Sequence, residues 1–244
     1  MLERDSRTAM LIGEDALNIL KASRVAIFGI GGVGGHAVDA LARAGVGALD
    51  LFDNDTVSES NINRQLIATY ETLGQYKTEA FEQRIKTINP GCRVELHTCF
   101  VTPETVETLD LSLYDYVIDA IDTVSTKIAL AVKCEKEGVR IISSMGTGNK
   151  LDPTKFEISD IYKTSVCPLA RVMRSELRRR GVGALKVLYS KEEPKQSKLK
   201  GATNAYPCEE KRTKIPPASI SFVPATAGLI IAGEVIKDII GVNI

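Results

Sequence analysis

The fold of this chain is decided by residues 25–34, VAIFGIGGVG, in which an apolar run leads directly into closely spaced glycines. A strand that ends in Gly-x-Gly-x-x-Gly and opens a helix cradles phosphate, because glycines permit a tight turn and a close approach of the backbone. The start of the helix adds free N–H groups and the positive end of its dipole. The predicted phosphate-binding glycines are Gly29, Gly31, Gly32 and Gly34.

An acidic residue stands where such a loop requires one. Asp53 ends the second apolar run, residues 49–52, and lies about 20 residues after the glycines, where a carboxylate can bond to ribose hydroxyls. The order of strand, turn, helix, strand and acid favours a nucleotide-binding loop. A glycine-rich turn that binds no ligand is the less favoured interpretation. These features alone also fit a dinucleotide-dependent dehydrogenase.

The residues beyond Asp53 argue against a dehydrogenase. Arg64 and Lys77 add two cations; Arg suits bidentate phosphate contacts and Lys acts as a point charge. Asp122 follows a third apolar run, residues 116–118, so we expect it at the carboxyl edge of a parallel sheet, where ligands bind. A carboxylate there can hold Mg²⁺ together with substrate phosphates. The set predicts ATP, with Mg²⁺, in a reaction that involves its phosphates.

Motifs in the first 150 residues resemble the ubiquitin-activating-enzyme-like adenylation family, which includes the adenylyltransferases of molybdopterin and thiamin sulfur carriers. In chain order they are GIGGVG at 29–34, DNDTV at 53–57, SNINRQ at 60–65, GQYK at 74–77 and DAID at 119–122. The resemblance is specific because all of these motifs occur in the family's order.

The resemblance implies a role for each matching residue. Asp53 holds the ribose, Arg64 and Lys77 hold phosphates, and Asp122 serves the metal. Within the same motifs, Asp55 and Asn61 are predicted to contact the nucleotide. The resemblance further implies a homodimer, in which Arg7 reaches into the site of the partner subunit; by itself, Arg7 reads as a solvated charge at a helix start.

Alternating strand and helix patterns predict an α/β fold, a doubly wound and mainly parallel Rossmann-like sheet. The predicted elements span 24–29, 33–44, 48–53, 74–88, 93–98, 115–119, 123–137 and 139–144. Residues 1–150 are predicted to form the ATP-binding adenylation domain. Residues 151–244 are predicted to be an extension of the same globular unit that covers the ligand edge, with a basic flap and a terminal helix at about 225–240.

Composition favours a cytoplasmic enzyme. The 244 residues carry a formal net charge of zero. No uninterrupted apolar run reaches the roughly 18 residues that a membrane span needs. The charged start of the chain lacks the apolar region of a signal peptide.

The cysteines and histidines predict no zinc site. The five Cys form no Cys-x-x-Cys pair, and the chain has only two His, whereas many relatives bind structural zinc through two such pairs. Cys167 and Cys208 are the candidates for covalent chemistry with a carrier protein, although ordinary unpaired thiols are the favoured interpretation. Cys92, Cys99 and Cys134 are predicted to pack in the core.

Positive charge is concentrated in the second half. Residues 171–214 contain thirteen Lys and Arg against five Glu, a net charge of +8 that the rest of the neutral chain balances. Such segregation is typical of a surface for a polyanion, with a solvated, mobile flap as the alternative. Residues 191–217 have the composition of a flexible excursion. The predicted nucleic-acid contacts are Arg171, Arg174, Arg178 and Arg179.

Further motifs extend the resemblance over most of the chain: DT at 122–123, GTGNK at 146–150, DP at 152–153, PLA at 168–170 and ISFVPATAG at 220–228. Together with the missing zinc pairs and the basic second half, they resemble the branch of the family that acts on a threonylcarbamoyl-modified adenosine of tRNA. The resemblance implies that ATP activates the carboxylate of that group and that an internal nucleophile closes a ring with loss of water. An intramolecular nucleophile needs no enzyme thiol.

Two alternatives stay open at this point. The first is an adenylyltransferase for a ubiquitin-like sulfur carrier ending in Gly-Gly, against which the missing zinc pairs and the segregated basic charge argue. The second is a non-catalytic nucleotide-binding module that senses a dinucleotide or recruits a sulfur-transfer partner. Arg64 and Lys77 argue against a pure dinucleotide sensor.

Overall fold

The computed structural model describes residues 3–196 and 217–242. Its helices are α1 (Ser6–Ile12), α2 (Glu14–Ala22), α3 (Gly34–Ala44), α4 (Lys77–Ile88), α5 (Pro103–Thr108), α6 (Val124–Glu137), α7 (Pro168–Arg179) and α8 (Phe222–Ile240). Its strands are β1 (Arg24–Phe28), β2 (Ala48–Phe52), β3 (Arg93–His97), β4 (Tyr116–Asp119), β5 (Ile141–Ser144), β6 (Phe156–Asp160) and β7 (Lys186–Ser190).

The strands form one seven-stranded sheet in the order β3-β2-β1-β4-β5-β7-β6. All neighbouring pairs are parallel except β6 and β7, which are antiparallel. The predicted doubly wound, mainly parallel sheet is confirmed. The strand order reverses between β1 and β4, and this reversal opens a crevice at the carboxyl ends of the two strands, where ligands of such sheets bind.

The central strands are apolar on both faces because helices cover both. Val25 and Ile27 of β1 join the cluster packed under α3, α4 and α8. Ala26 and Phe28 point the other way, into the cluster under α5 and α6. A third cluster joins α6, α7 and β7. A continuous apolar run is the pattern expected of such doubly covered strands.

Some predicted bounds differ from the observed ones. α4 begins at Lys77 and not at residue 74, because Gly74 has a left-handed φ of 82° and Tyr76 pairs with Thr56. α8 begins at Phe222, three residues before the predicted start, since Pro224 is tolerated in a first helical turn. Residues 156–190 add β6 and β7 to the sheet itself.

The cysteine predictions hold in part. Cys92 and Cys134 are buried as predicted, but the prediction for Cys99 is wrong, because it is exposed in the loop after β3.

No helix in the described ranges combines the length and apolar character that crossing a membrane requires.

Candidate active site

The glycine loop between β1 and α3 is closed too tightly for side chains at two positions. Gly29 has a φ of +82°, and a Cβ there would lie 2.8 Å from the carbonyl oxygen of Ala120, which follows β4. A Cβ on Gly34 would lie 1.9 Å from the carbonyl oxygen of Gly29. Glycine is therefore required for the turn and for its contact with the end of β4.

The other two predicted glycines face the segment that carries the SNINRQ motif. A Cβ on Gly31 would lie 3.5 Å from Nε2 of Gln65, and one on Gly32 would lie 3.5 Å from Cγ of Arg64. The loop backbone and the Arg64 side chain thus line the same crevice, at the positive end of α3.

Asp53 is tied to the glycine loop by its carboxylate. Oδ2 accepts a hydrogen bond of 3.0 Å from the backbone N–H of Ile30, and Oδ1 accepts one of 2.9 Å from that of Asp55. Burial raises the pKa of Asp53 above its ordinary value, against the opposing charge of Lys77. The carboxylate is fixed beside the loop, as a ribose-binding acid must be.

Lys77, the first residue of α4, lies buried between two carboxylates. Its Nζ is 2.6 Å from Oδ2 of Asp55 and 3.6 Å from Oδ1 of Asp53. The side chain of Asp55 is 60% exposed, so the cation is neutralised on its open side by a solvated group. The structure brings all three predicted residues together.

Arg64 and Asn61 lie in the turn opposite the glycine loop. Oδ1 of Asn61 accepts a hydrogen bond of 3.1 Å from the backbone N–H of Ser58 and closes the turn that carries Arg64. Nη1 of Arg64 donates to the carbonyl oxygen of Ser60 at 2.8 Å and to Oδ1 of Asn63 at 2.9 Å. Within the described ranges Arg64 forms no salt bridge, and burial lowers its pKa. A half-buried guanidinium without a carboxylate is suited to an anionic ligand.

An open cavity of about 250 Å³ adjoins Arg64 and is lined in part by His36, Gln65 and Phe222. Gln65 is buried, and its Oε1 has no hydrogen-bond partner among the described atoms. Such an atom costs free energy unless a ligand or water satisfies it. Gln65 and Phe222 were not predicted from the sequence as site residues, although both lie in the quoted motifs, which could have indicated them.

Asp122 is exposed in the turn that follows β4. Its Oδ1 accepts a hydrogen bond from Thr123 at 3.4 Å. Ala120, two residues earlier, contacts Gly29, so the turn adjoins the glycine loop. Asp122 therefore occupies the ligand edge, where the sequence predicts it.

A buried network holds this turn, and sequence reasoning missed it. Nζ of Lys127, on α6, lies 2.9 Å from Oδ2 of Asp119 and donates to the carbonyl oxygen of Ile121 at 3.2 Å. Ser143 of β5 donates to the same Asp119 oxygen at 2.5 Å. Asp119, Lys127 and Ser143 are fully buried. The sequence signal that could have indicated a buried lysine was the position of Lys127 among the apolar residues of α6.

The carboxylates at this edge come from Asp53, Asp55, Asp119 and Asp122. In the ranges 3–196 and 217–242, no group of three or more His, Cys, Asp or Glu is arranged to hold a metal ion. A single carboxylate such as that of Asp122 is compatible with Mg²⁺, because this ion is usually held by one or two carboxylates together with substrate phosphates and water.

Arg7 lies apart from the residues just described. It is exposed on α1. Arg4, in the turn before α1, donates to Oδ1 of Asn89 at 2.8 Å, and Asn89 precedes β3. This segment therefore begins at the edge of the sheet opposite the glycine loop of its own chain.

The predicted nucleic-acid arginines on α7 differ in their surroundings. Arg171 and Arg178 are exposed, and the Arg178 guanidinium lies 5.2 Å from the ring centroid of Tyr162. Arg174 donates to the carbonyl oxygen of Thr164 at 3.0 Å, and Arg179 pairs with Glu176.

The two candidate thiols differ in what the structure describes. Cys167 precedes α7 and is buried. Cys208 lies outside the described residues, as do the basic residues of 197–216.

Comparisons with known proteins agree with this geometry. A model of the ThiF family matches residues 5–244. The tRNA threonylcarbamoyladenosine dehydratase of Bacillus subtilis (strain 168) is 44% identical over 244 residues, covering 98% of this chain and 96% of the relative.

Solved structures agree as well. E. coli TcdA, a tRNA N6-threonylcarbamoyladenosine dehydratase crystallised with AMP, matches 98% of this chain and 94% of its own at 33% identity, with a TM-score of 0.86. The same protein with ATP matches with a TM-score of 0.84, at 32% identity and the same coverage. The motif resemblance is thereby confirmed at the level of the family, and the chain belongs to the ThiF family.

Proposed function

We propose that this ThiF family member is an ATP-dependent tRNA threonylcarbamoyladenosine dehydratase. It activates the carboxylate of the threonylcarbamoyl group, and an internal nucleophile of that group then closes a ring with net loss of water. The observation that carries the proposal is the convergence of Arg64, Lys77 and Asp122 on the glycine loop at the reversal between β1 and β4. The likeness to the B. subtilis dehydratase over 98% of the chain supports this substrate.

In this proposal ATP lies along the crevice with its ribose at Asp53 and its phosphates at the amides of the glycine loop. Asp53 is held there by the N–H groups of Ile30 and Asp55. Lys77 contacts the phosphates from the start of α4, and Arg64 contacts them from the SNINRQ turn. Asn61 shapes that turn.

Mg²⁺ is part of the proposal, with Asp122 as its protein ligand. When bound there, it would neutralise phosphate charge. The residues of the chain do the remaining work: Arg64 and Lys77 stabilise negative charge on the departing phosphate oxygens, in positions fixed before the reaction. Since the nucleophile belongs to the substrate itself, proximity replaces a covalent enzyme intermediate.

The proposed tRNA surface is the exposed side of α7. Its opposite side, Ala170, Met173 and Leu177, is buried against the core. Arg171 and Arg178 face outward and are suited to phosphate contacts, which provide affinity more than sequence selection. Arg174 is bonded to Thr164 and Arg179 is paired with Glu176, so we expect these two arginines to contribute less to tRNA binding.

We further propose a homodimer. Met10 and Leu11 on α1 are each 86% exposed, and they share this short helix with Arg7. Apolar side chains exposed to this degree are costly in water and favour burial against another surface. A partner subunit docked there would also give Arg7 a site to reach. A sulfur-transfer protein partner and a cytoplasmic location stay predictions.

The test is mass spectrometry of tRNA nucleosides. The purified protein is incubated with Mg-ATP and tRNA bearing threonylcarbamoyladenosine, and loss of one water from that nucleoside, dependent on ATP, is the expected result. An unchanged nucleoside from protein that binds ATP would contradict the proposal. Carrier-dependent exchange of AMP would then favour the sulfur-carrier adenylyltransferase.

A further inference from the structure

The loop after β5 contains a residue in an unusual conformation. Asn149 has a φ of 61°, in the left-handed region. Non-glycine residues adopt this region rarely, and Asn tolerates it better than most because its short polar side chain can bond locally. A residue in this conformation persists only where its contacts hold it there.

Asn149 binds chain segments on both sides of residues 197–216. Its backbone N–H donates to the carbonyl oxygen of Ala218 at 2.7 Å, and its side-chain Oδ1 accepts from the N–H of Ala218 at 2.9 Å. Its carbonyl oxygen accepts from the N–H of Lys195 at 2.7 Å. One residue thus fixes the segment that enters 197–216 and the segment that leaves it.

The preceding residue lies directly against the same departing segment. A Cβ on Gly148 would be 2.6 Å from Cβ of Pro217. Only glycine allows this approach, and the approach brings Ala218 within reach of Asn149.

The departing segment continues to the crevice. Nδ2 of Asn63 donates to the carbonyl oxygen of Ser219 at 3.1 Å, and Asn63 is the neighbour of Arg64. Ser221 and Phe222 then line the cavity beside Arg64. Residues 217–222 therefore form a bridge, which we call the crevice bridge, from the β5 loop to the turn that holds Arg64.

We propose that Asn149 is a positioning residue for the tRNA substrate: it anchors the crevice bridge and so fixes the wall against which the modified nucleoside is presented to Arg64. The inference rests on the proposed function. The substrate must place its carboxylate against the ATP phosphates that Arg64 holds while its own phosphates contact basic residues of the second half, so the wall of the crevice needs a fixed position. Lys195 and Ala218 are both bonded to Asn149, so one residue holds the start of the crevice bridge against the β5 loop.

The role assigned to Asn149 differs from that of an ordinary left-handed turn residue. For a turn alone, glycine would serve as well or better, because it adopts positive φ without steric cost. The bond from Ala218 requires an acceptor on the side chain. Asp provides that acceptor and also tolerates positive φ, whereas glycine does not provide it.

The experiment compares Asn149→Gly with Asn149→Asp in the full chain. Loss of one hydrogen bond of ordinary strength predicts that Asn149→Gly raises KM for tRNA about five-fold, with kcat and the Kd for ATP within about two-fold of wild type. Asn149→Asp should keep the wild-type KM. Both variants should fold, since each residue accepts this backbone conformation.

A second measurement follows the bond itself. Hydrogen exchange at the Ala218 amide should be faster in Asn149→Gly than in wild type and unchanged in Asn149→Asp. A wild-type KM for tRNA in Asn149→Gly overturns the proposal, as does an equal loss of ATP affinity, which would indicate a general structural role. If wild-type protein does not dehydrate the nucleoside, the proposed function fails, and exchange at Ala218 still reports whether Asn149 anchors the bridge.

Discussion

Two polar clusters at opposite ends of the parallel strands differ in whether all of their groups have partners. At the amino end, Nζ of Lys186 lies 2.9 Å from Glu234 and 2.7 Å from Asp238, and the hydroxyl of Tyr116 donates to Asp238 at 2.6 Å. At the carboxyl end, Arg64 bonds only neutral oxygens among the described residues, and Oε1 of Gln65 has no partner there.

The difference shows which charges serve the fold and which serve a ligand. A network in which every charge has a partner needs nothing further and contributes to stability. A buried polar group without a partner lowers stability and persists where a ligand completes it. The carboxyl end is therefore the place where substrate binding supplies the missing partners. The two ends are also joined, because α8 begins at the crevice with Phe222 and carries Asp238 in its last turn.

The largest expected effect tests whether a charged residue serves the fold because it has a partner, whichever end of the strands it lies at. Lys127 lies at the carboxyl end, yet its ammonium contacts Asp119 and the carbonyl oxygen of Ile121. Lys127→Met leaves the Asp119 carboxylate buried and unpaired, so we expect a loss of about 3–5 kcal/mol in the free energy of unfolding. Urea denaturation measures it.

The control for Lys127 removes both charges. Lys127→Met combined with Asp119→Leu should recover much of the loss, because apolar residues often replace a buried ion pair at little cost. If Lys127→Met alone leaves the free energy of unfolding unchanged, the presence of a charged partner does not identify the residues that stabilise the fold.

The contrast between Lys127 and Lys77 explains what could be predicted from sequence. Lys77 belongs to a spaced motif, and the glycine loop, Asp53 and Lys77 follow from local chain order. The pairing of Lys127 with Asp119 depends on how α6 lies against β4, which no local pattern specifies.

The second half of the chain was harder still to predict. β7 inserts between β5 and the antiparallel β6, so its place in the sheet depends on long-range pairing. The position of Phe222 at the cavity depends on the path of residues 217–222 across the ligand edge. Hydrophobic periodicity carries no information on either point.

The next effect is on activity. Arg64→Ala should lower kcat/KM about 10²–10³-fold, the usual loss when one positioned stabiliser of developing charge is removed. Its unfolding midpoint should change little, because the side chain has no charged partner within the described residues. Nucleoside mass spectrometry after timed incubation gives the rate. The matched arginine control is Arg140→Ala at the amino end of β5, where Arg140 donates to the carbonyl oxygens of Asp115 and Asp238. Near-normal turnover in Arg64→Ala would refute the assignment of Arg64 to the phosphates.

The converse variant is at the amino end. Lys186→Met removes the cation between Glu234 and Asp238. Because the side chain is 33% exposed, solvent screens part of the loss, and we expect about 1–2 kcal/mol of destabilisation. The kcat of the folded enzyme should be unchanged at a temperature well below unfolding. A fall in kcat without a fall in stability would contradict the proposal that the amino-end network stabilises the fold and does not act on the ligand.

The smallest effect is a difference in titration between two aspartates. Burial raises the pKa of Asp53. Burial also opposes ionisation of Asp238, but hydrogen bonds from Lys186 and Tyr116 outweigh it and hold the pKa of Asp238 below its ordinary value. Carboxyl carbon NMR, assigned with Asp53→Asn and Asp238→Asn, should therefore show Asp53 titrating at the higher pH.

The two shifts have opposite consequences for stability. The contribution of Asp238 is present above its unfolded pKa of about 3.9 and is lost as the pH falls through its lower folded pKa. Ionised Asp53 costs stability near neutral pH, and that cost is relieved as the pH falls through its raised folded pKa. Acidification should therefore weaken ATP binding through protonation of Asp53 before it weakens the Lys186–Asp238 network. The reverse order would show that the carboxyl end is not the end that depends on a ligand.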